Sequence, residues 1–165
     1  LISTFIFTKK HNLNFIDIVD RLVFVAAVGA ILIRIGNFIN SEVVGRATDL
    51  PWGVRFVRYD NGLFARHPSQ LYESLFGVFL FIILLKADKL FGKEKRPKGL
   101  LTGLFLFLYF LFRFLIEYLK EYQTLSHSYL TMGQYLSIVP MLAGVYLLIQ
   151  IALKRKAMKK DVRNI

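Results

Sequence analysis

Four long apolar runs set the outline of this chain, at roughly 18–39, 69–87, 99–119 and 132–153. A helix needs about 20 residues to cross a hydrocarbon core of about 30 Å, and each run has that length. The connections at 40–68, 87–98 and 120–131 are too short to hold a soluble domain. The pattern predicts an all-α fold: a polytopic membrane helical bundle with four complete transmembrane helices. Ahead of them the chain opens LISTFIFTKK, apolar first and basic afterwards, the reverse of a signal peptide's order. This is read as the end of a preceding helix, and the chain as the C-terminal portion (a fragment) of a longer protein. Residues 1–165 are expected to form a single membrane domain.

Polar punctuation refines the outline. HPSQ at 67–70 puts Pro68 in a first helical turn, where its missing N–H costs nothing, and TMGQ at 131–134 has the Thr-x-x-Gln spacing of a capping box. DLPWG and DNG in the 40–68 stretch are turn signals, and Trp52 and Tyr59 suit a membrane interface. That stretch is expected to be a folded surface segment on the outer face.

Composition agrees with a membrane protein: 55% of residues are hydrophobic, 16 are Phe, and the mean hydropathy is +0.49. The absence of cysteine excludes disulfides, thiolate zinc sites and a cysteine nucleophile, so any thiol in the chemistry comes with a substrate. The net charge of +11 does not indicate nucleic acid, because 12 of the 22 basic residues fall in two short clusters flanking apolar runs. These are Lys86, Lys89, Lys93, Lys95, Arg96 and Lys98, then Lys154, Arg155, Lys156, Lys159, Lys160 and Arg163. Such clusters mark cytoplasmic ends beside an anionic leaflet. The 40–68 connection carries only Arg46, Arg55, Arg58 and Arg66, and the 120–131 connection only Lys120. By the positive-inside rule these two lie outside, and 154–165 is a basic cytoplasmic tail.

Candidate chemistry gathers where ionisable residues interrupt the apolar pattern. RIGNFINSEVVGR at 34–46 follows directly on LVFVAAVGAILI. An ionisable group at membrane depth costs at least ~2.5 kcal/mol, so it normally has a partner and faces protein or a wet cavity. Arg34 and Arg113 each lie about 14 residues into a span, which places both about 20 Å from the inner boundary at 1.5 Å per residue. Tyr109, Arg113 and Glu117 share one helix face at i, i+4 and i+8. Arg34 and Asn37 share another, after which Gly36 and Asn40 are expected to loosen the helix near Glu42. His67, Gln70 and Glu73 enter from outside on the second span. Arg113 and Glu117 also read as a structural ion pair, Tyr109 as one more core aromatic, His67 and Glu73 as solvated interfacial groups, and His11 and His127 as solvated loop ends. Two arginines at one depth with few acids to neutralise them favour a phosphate, which a planar guanidinium binds through paired hydrogen bonds. An anionic phospholipid is then the ligand, with Gly36 and Gly45 allowing close backbone approach.

At these residues the chain resembles a known family. RIGNFINSEVVG (34–45), TDLPWGVRF, RHPSQLYES, the Tyr109–Arg113–Glu117 stripe and TMGQ, in this order, are similar to the prolipoprotein diacylglyceryl transferases of bacteria. The resemblance implies transfer of the diacylglyceryl group of phosphatidylglycerol to the lipobox cysteine thiol of a prolipoprotein, with formation of a thioether and release of glycerol phosphate. It implies the bacterial plasma (inner) membrane, with the active site toward the outer leaflet. It places Arg34, Asn37, Glu42, Gly45, Tyr109, Arg113 and Glu117 at functional positions. We assign Arg113, Glu117, Tyr109 and Asn37 to catalysis and Arg34, Glu42, Gly45, Asn40, His67, Gln70 and Glu73 to substrate binding. No metal or other cofactor is expected. The family has seven spans and a histidine-glycine-glycine segment in its N-terminal half, whose histidine is the favoured base; that segment does not occur here. The rival reading is a non-catalytic phospholipid-binding membrane protein or transporter subunit. A carrier would need polar access to both faces, whereas the polar layer lies in one half.

Overall fold

The computed structural model describes residues 2–121 and 130–163, the last six as backbone only. His127, residues 164–165 and the side chains of Lys159, Lys160 and Arg163 lie outside the described residues. A nine-residue helix α1 (Ile2–Lys10) turns at 11–14 into α2 (Phe15–Asn40). Asn14 caps α2, its side-chain oxygen accepting from the Asp17 N–H at 3.2 Å. The chain then forms a small two-stranded antiparallel sheet, β1 (Val54–Arg55) with β2 (Ala65–Arg66), around the short helix α3 (Val57–Asp60). Three more long helices follow: α4 (Ser69–Leu90), α5 (Leu100–Ile116) and α6 (Met132–Arg163).

α2, α4, α6 and α5 continued by the helical turn after it (Leu100–Leu119) are each long and apolar enough to cross a membrane. The protein is thus an all-α polytopic bundle, and its four spans coincide with the four apolar runs. α2 packs along α4, α5 contacts both, and α6 lies along α5. Val23, Ala27, Leu80, Leu84 and Leu101 are buried at the centre, whereas Leu32, Leu75, Phe79, Leu136 and Val139 are exposed on the outward faces. Exposed apolar faces on α2, α4 and α6 suit a lipid solvent, in which close packing holds helices together, while α5 is covered along most of its length. The α5–α6 crossing is so close that a Cβ on Gly144 would sit 2.5 Å from the Phe107 backbone N.

At the end of the bundle holding the α2 and α5 N-termini, one buried carboxylate ties two helices. Asp20 of α2 accepts from the Gly99 N–H at 2.8 Å, the Thr102 N–H at 2.8 Å and the Thr102 hydroxyl at 2.5 Å. It caps α5 across the interface, since Gly99 offers no side chain for the task. The other two starts differ in kind. Pro68 is the N-cap of α4 rather than a first-turn residue, with its carbonyl accepting from Leu71 and Tyr72. α6 has the reciprocal capping box, Thr131 N–H to Gln134 Oε1 at 3.0 Å and Gln134 N–H to Thr131 Oγ1 at 3.2 Å.

Candidate functional site

The opposite end of the bundle collects the polar residues, and the way α2 stops is what begins the assembly. Ser41 adopts φ 60°, its N–H bonds the Phe38 carbonyl at 3.1 Å, and the Glu42 N–H bonds the Asn37 carbonyl at 2.8 Å. This is a Schellman stop. The expected loosening at Gly36 and Asn40 near Glu42 is met in part: α2 runs unbroken through Gly36 and ends at Asn40, just before Glu42, with the carbonyls of its last turn satisfied. Gly36 hosts no close approach, having no protein atom within 4 Å of its Cβ position.

Past the stop, Val43 has φ 52°, a costly conformation for a β-branched residue. Two buried α4 side chains hold it there: Ser69 donates to the Val43 carbonyl at 3.1 Å, and Gln70 donates to the Glu42 carbonyl at 2.6 Å. Gly45 is then threaded between α4 and the end of α5. Its N–H bonds the His67 carbonyl at 3.1 Å, while its neighbours reach across to α5, Arg46 N–H to Leu119 O at 2.9 Å and Glu121 N–H to Val44 O at 3.2 Å. A Cβ on Gly45 would lie 2.3 Å from the His67 carbonyl oxygen, so only glycine fits this crossing.

Behind the strap lies an ionic chain. Arg34 Nε is 3.1 Å from Glu73 Oε2, Glu73 Oε1 accepts from Lys120 Nζ at 3.1 Å, and Lys120 reaches Glu117 Oε2 at 3.5 Å. The Arg34–Glu73 contact is an ion pair without hydrogen-bond alignment, which leaves Glu73 Oε2 a buried acceptor with no hydrogen bond. In the amide orientation that satisfies both of its faces, Asn37 accepts from Arg34 Nη1 at 3.1 Å and donates to Glu42 Oε2 at 3.2 Å. Glu117 starts a 3-10 turn (Glu117–Leu119) just past α5, and its carboxylate fills the space where a Cβ of Gly133 would be, 2.5 Å away. That position is beside the N-terminus of α6, where a negative charge is favoured.

Arg34, Arg113, Glu117 and Lys120 line one cavity of about 390 Å³. Arg34, Glu73, Tyr109 and Arg113 line a small recess that also reaches Phe76 and Phe112. Arg113 makes no ion pair or side-chain hydrogen bond among the described residues, and the Arg113–Glu117 pair considered from sequence does not form because Glu117 turns to Lys120. Across the cavity and the recess Arg34, Arg113 and Lys120 thus face two carboxylates, Glu73 and Glu117, since Glu121 at the rim is committed to Arg66. The Tyr109 ring stacks on Phe105 at 5.3 Å, and among the described residues its hydroxyl has no hydrogen-bond partner.

Other sequence candidates stand apart from these walls. Asn40 is exposed, and His67 Nδ1 lies 3.4 Å from the Tyr72 hydroxyl, which accepts from Trp52 Nε1 at 2.8 Å. The 40–68 segment is pinned by buried Arg66, which meets Asp60 at 2.7 Å, Glu121, and the face of Tyr59. The Arg66 hydrogen bond holds the Asp60 carboxyl below the usual carboxylate range. Burial works against the Arg66 charge, but its two carboxylate partners outweigh that and raise its pKa. Lys120 and Gly133 were not singled out for the site from sequence. In the sequence Lys120 reads as a loop charge, although its i+3 spacing from Glu117 signals a pair.

Residues 1–150 match the family model described as prolipoprotein diacylglyceryl transferase. Among curated proteins the chain is similar to the phosphatidylglycerol–prolipoprotein diacylglyceryl transferase of Nitratidesulfovibrio vulgaris, 43% identical over 85% of this chain and 53% of that protein. It is similar to those of Aliivibrio salmonicida, 42% identical over 94% and 54%, and Bacteroides fragilis, 37% identical over 88% and 52%. The chain spans about half the length of these relatives.

Proposed function

Because the chain belongs to the prolipoprotein diacylglyceryl transferase family, we propose that the protein carrying it transfers the diacylglyceryl group of phosphatidylglycerol to the lipobox cysteine thiol of a prolipoprotein. Sulfur attacks the sp3 glycerol carbon esterified to phosphate. The carbon–oxygen bond breaks, the thioether forms, and glycerol phosphate leaves with the bonding electron pair. The thiol proton passes to a base. What this chain contributes is stabilisation of the leaving phosphate, whose negative charge grows as the bond breaks.

The observation that carries this reading is the Arg113 guanidinium, partly buried, without a carboxylate partner among the described residues, and sharing two cavities with Arg34. A structural arginine at membrane depth would be neutralised. One held open is suited to receive a charged ligand. Arg34 and Arg113 form the clamp, Lys120 adds a third cation, and Glu73, Glu117 and Asn37 fix their positions. The Tyr109 hydroxyl, at the recess, orients an ester or phosphate oxygen. The clamp faces the outer leaflet of the bacterial inner membrane, the 40–68 segment lies on that surface, and the C-terminus is cytoplasmic. The basic clusters at the far end support that orientation.

The test replaces Arg113 by Lys, which keeps the charge and loses the planar fork. Transfer of labelled diacylglyceryl from phosphatidylglycerol to a lipobox peptide should fall by about a hundredfold, as for loss of one preorganised donor, with membrane insertion unchanged. Activity within a factor of two of the parent would overturn the clamp.

A further inference from the structure

The far end of the bundle carries a second cavity, of about 570 Å³, opening between the start of α2, the 93–98 connection and α6. Its floor is apolar, with Ile16, Leu147 and Ile151, and its rim is cationic, with Lys95, Lys98, Lys154 and Arg155. No carboxylate lines it. Tyr146, on the same wall, lies 10 residues along α6 from Leu136 of the first cavity, about 15 Å away, so the two are separate.

The rim cations are uncommitted because the acids nearby serve other groups. Asp17 and Glu94 both meet Arg21, at 4.0 and 2.6 Å. Asp88 meets Arg96 at 2.7 Å, and Asp20 caps α5 with Arg96 at 3.7 Å. Among the described residues none of Lys95, Lys98, Lys154 and Arg155 pairs with a carboxylate; Arg155 is instead held over the Phe91 ring at 4.5 Å. Four unpaired cations around one cleft repel each other unless an anion sits between them. The apolar floor continues onto helix faces that meet lipid, as the exposed Tyr146, Ile149 and Leu153 do.

We propose that this cleft binds an anionic phospholipid of the leaflet at the C-terminal end of the bundle, its phosphate among Lys95, Lys98, Lys154 and Arg155 and an acyl chain along Ile16, Leu147 and Ile151. Basic clefts between helices at the headgroup level take such lipids, and each Lys or Arg adds roughly a fivefold preference. The binding does not depend on the transfer reaction; the proposed orientation only decides that the leaflet is the cytoplasmic one. The lipid would act as a wedge joining α6 to the start of α2 across the cleft that both helices line.

The test is native mass spectrometry of the purified protein in neutral detergent, titrated with dioleoyl phosphatidic acid, dioleoyl phosphatidylcholine or inorganic phosphate. The parent should hold a phosphatidic acid adduct that phosphatidylcholine does not match, and Arg113→Gln should leave that adduct in place. The exposed double variant Lys98→Gln, Lys154→Gln should weaken it by about 30-fold, the equivalent of ~2 kcal/mol, whereas Lys98→Arg, Lys154→Arg should retain it. An adduct unchanged in the Gln variant, equal binding of phosphatidylcholine, or displacement by millimolar inorganic phosphate alone would each overturn the assignment. Loss of the adduct in Arg113→Gln would assign the lipid to the first cavity and overturn it as well.

Discussion

Replacing Glu73 by Gln removes the carboxylate on which the candidate site is strung. Glu73 is 9% exposed and contacts Arg34 and Lys120, each at 3.1 Å. At an effective dielectric of about 20, each contact is worth roughly 5 kcal/mol of Coulomb attraction, and this is largely offset by desolvation of several kcal/mol per ion. Deleting the carboxylate alone abolishes the attraction and leaves the cations buried. Lys120 then keeps Glu117 at 3.5 Å, whereas Arg34 keeps only the neutral Asn37 oxygen at 3.1 Å. The cost falls mainly on Arg34 and should be about 3 kcal/mol, the lower end for breaking a buried pair. Equilibrium unfolding by sodium dodecyl sulfate in mixed micelles measures it. Trp52, the single tryptophan, bonds the hydroxyl of Tyr72 next to Glu73 and supplies the signal. In the double variant Glu73→Gln, Lys120→Met the loss should be smaller than the sum of the single losses by about 1–3 kcal/mol. A single-variant loss below about 1 kcal/mol, or strict additivity, would refute the ionic chain.

Gly133→Ala should keep the fold, because the atom in its way is the movable end of Glu117, yet displace that carboxylate from Lys120 and lower transfer about tenfold; full transfer would show that Glu117 needs no fixed seat. His67→Gln should leave most turnover and the pH profile unchanged, since among the described residues its ring bonds only Tyr72 and it lines neither cavity wall; loss of the limb near neutrality would make His67 the base. Asp60, its pKa lowered by Arg66, should stabilise the 54–66 segment fully above the usual aspartate value of about 3.9, and that contribution should vanish as pH falls through the lowered folded value. Trp52 emission should therefore be flat from pH 7 to 5 and shift below about pH 4, and Asp60→Asn should abolish the shift; an unaltered transition in that variant would clear Asp60 of the role.

The spans and the height of the polar layer were legible because both follow from distance along a helix, at 1.5 Å per residue. Arg34 and Arg113 do meet at one cavity, as counting residues implied. What counting misses is rotation about each helix axis, which decides whose carboxylate faces whose cation. The α2–α4 seam turns Glu73 toward Arg34, and the 3-10 turn after α5 carries Glu117 off the helical stripe toward Lys120. Neither pairing has a local signature except the i+3 spacing of Glu117 and Lys120. The Schellman stop was hidden for a different reason: its left-handed residue is Ser41, not the glycine that usually announces one. The Asp20 cap joins residues 79 to 82 positions apart in sequence, so no local window contains both halves of it.

This division between height and rotation bears on what the acids of the site do. From sequence, Glu117 shares a helix face with Arg113 and reads also as its ion-pair partner; such a pair would compete with an anionic ligand. In the folded chain both carboxylates are drawn to Lys120, which lies between Glu73 and Glu117 and holds them away from Arg113. A lysine serves here because its compact ammonium, with three donors on a flexible stem, approaches two carboxylates at once, whereas a planar guanidinium would orient toward one of them. The consequence is a division of labour among three cations in one cavity. Lys120 neutralises the acids, Arg34 is anchored by Glu73 and Asn37, and Arg113 stays open. Lys120→Met should therefore release Glu117 toward Arg113 and inhibit transfer nearly as much as a change at Arg113 itself, through the freed carboxylate rather than through loss of the third cation. Partial rescue by a further Glu117→Gln replacement, which removes the freed competitor, would separate this effect from loss of a phosphate contact; no rescue would mean that Lys120 binds the phosphate directly.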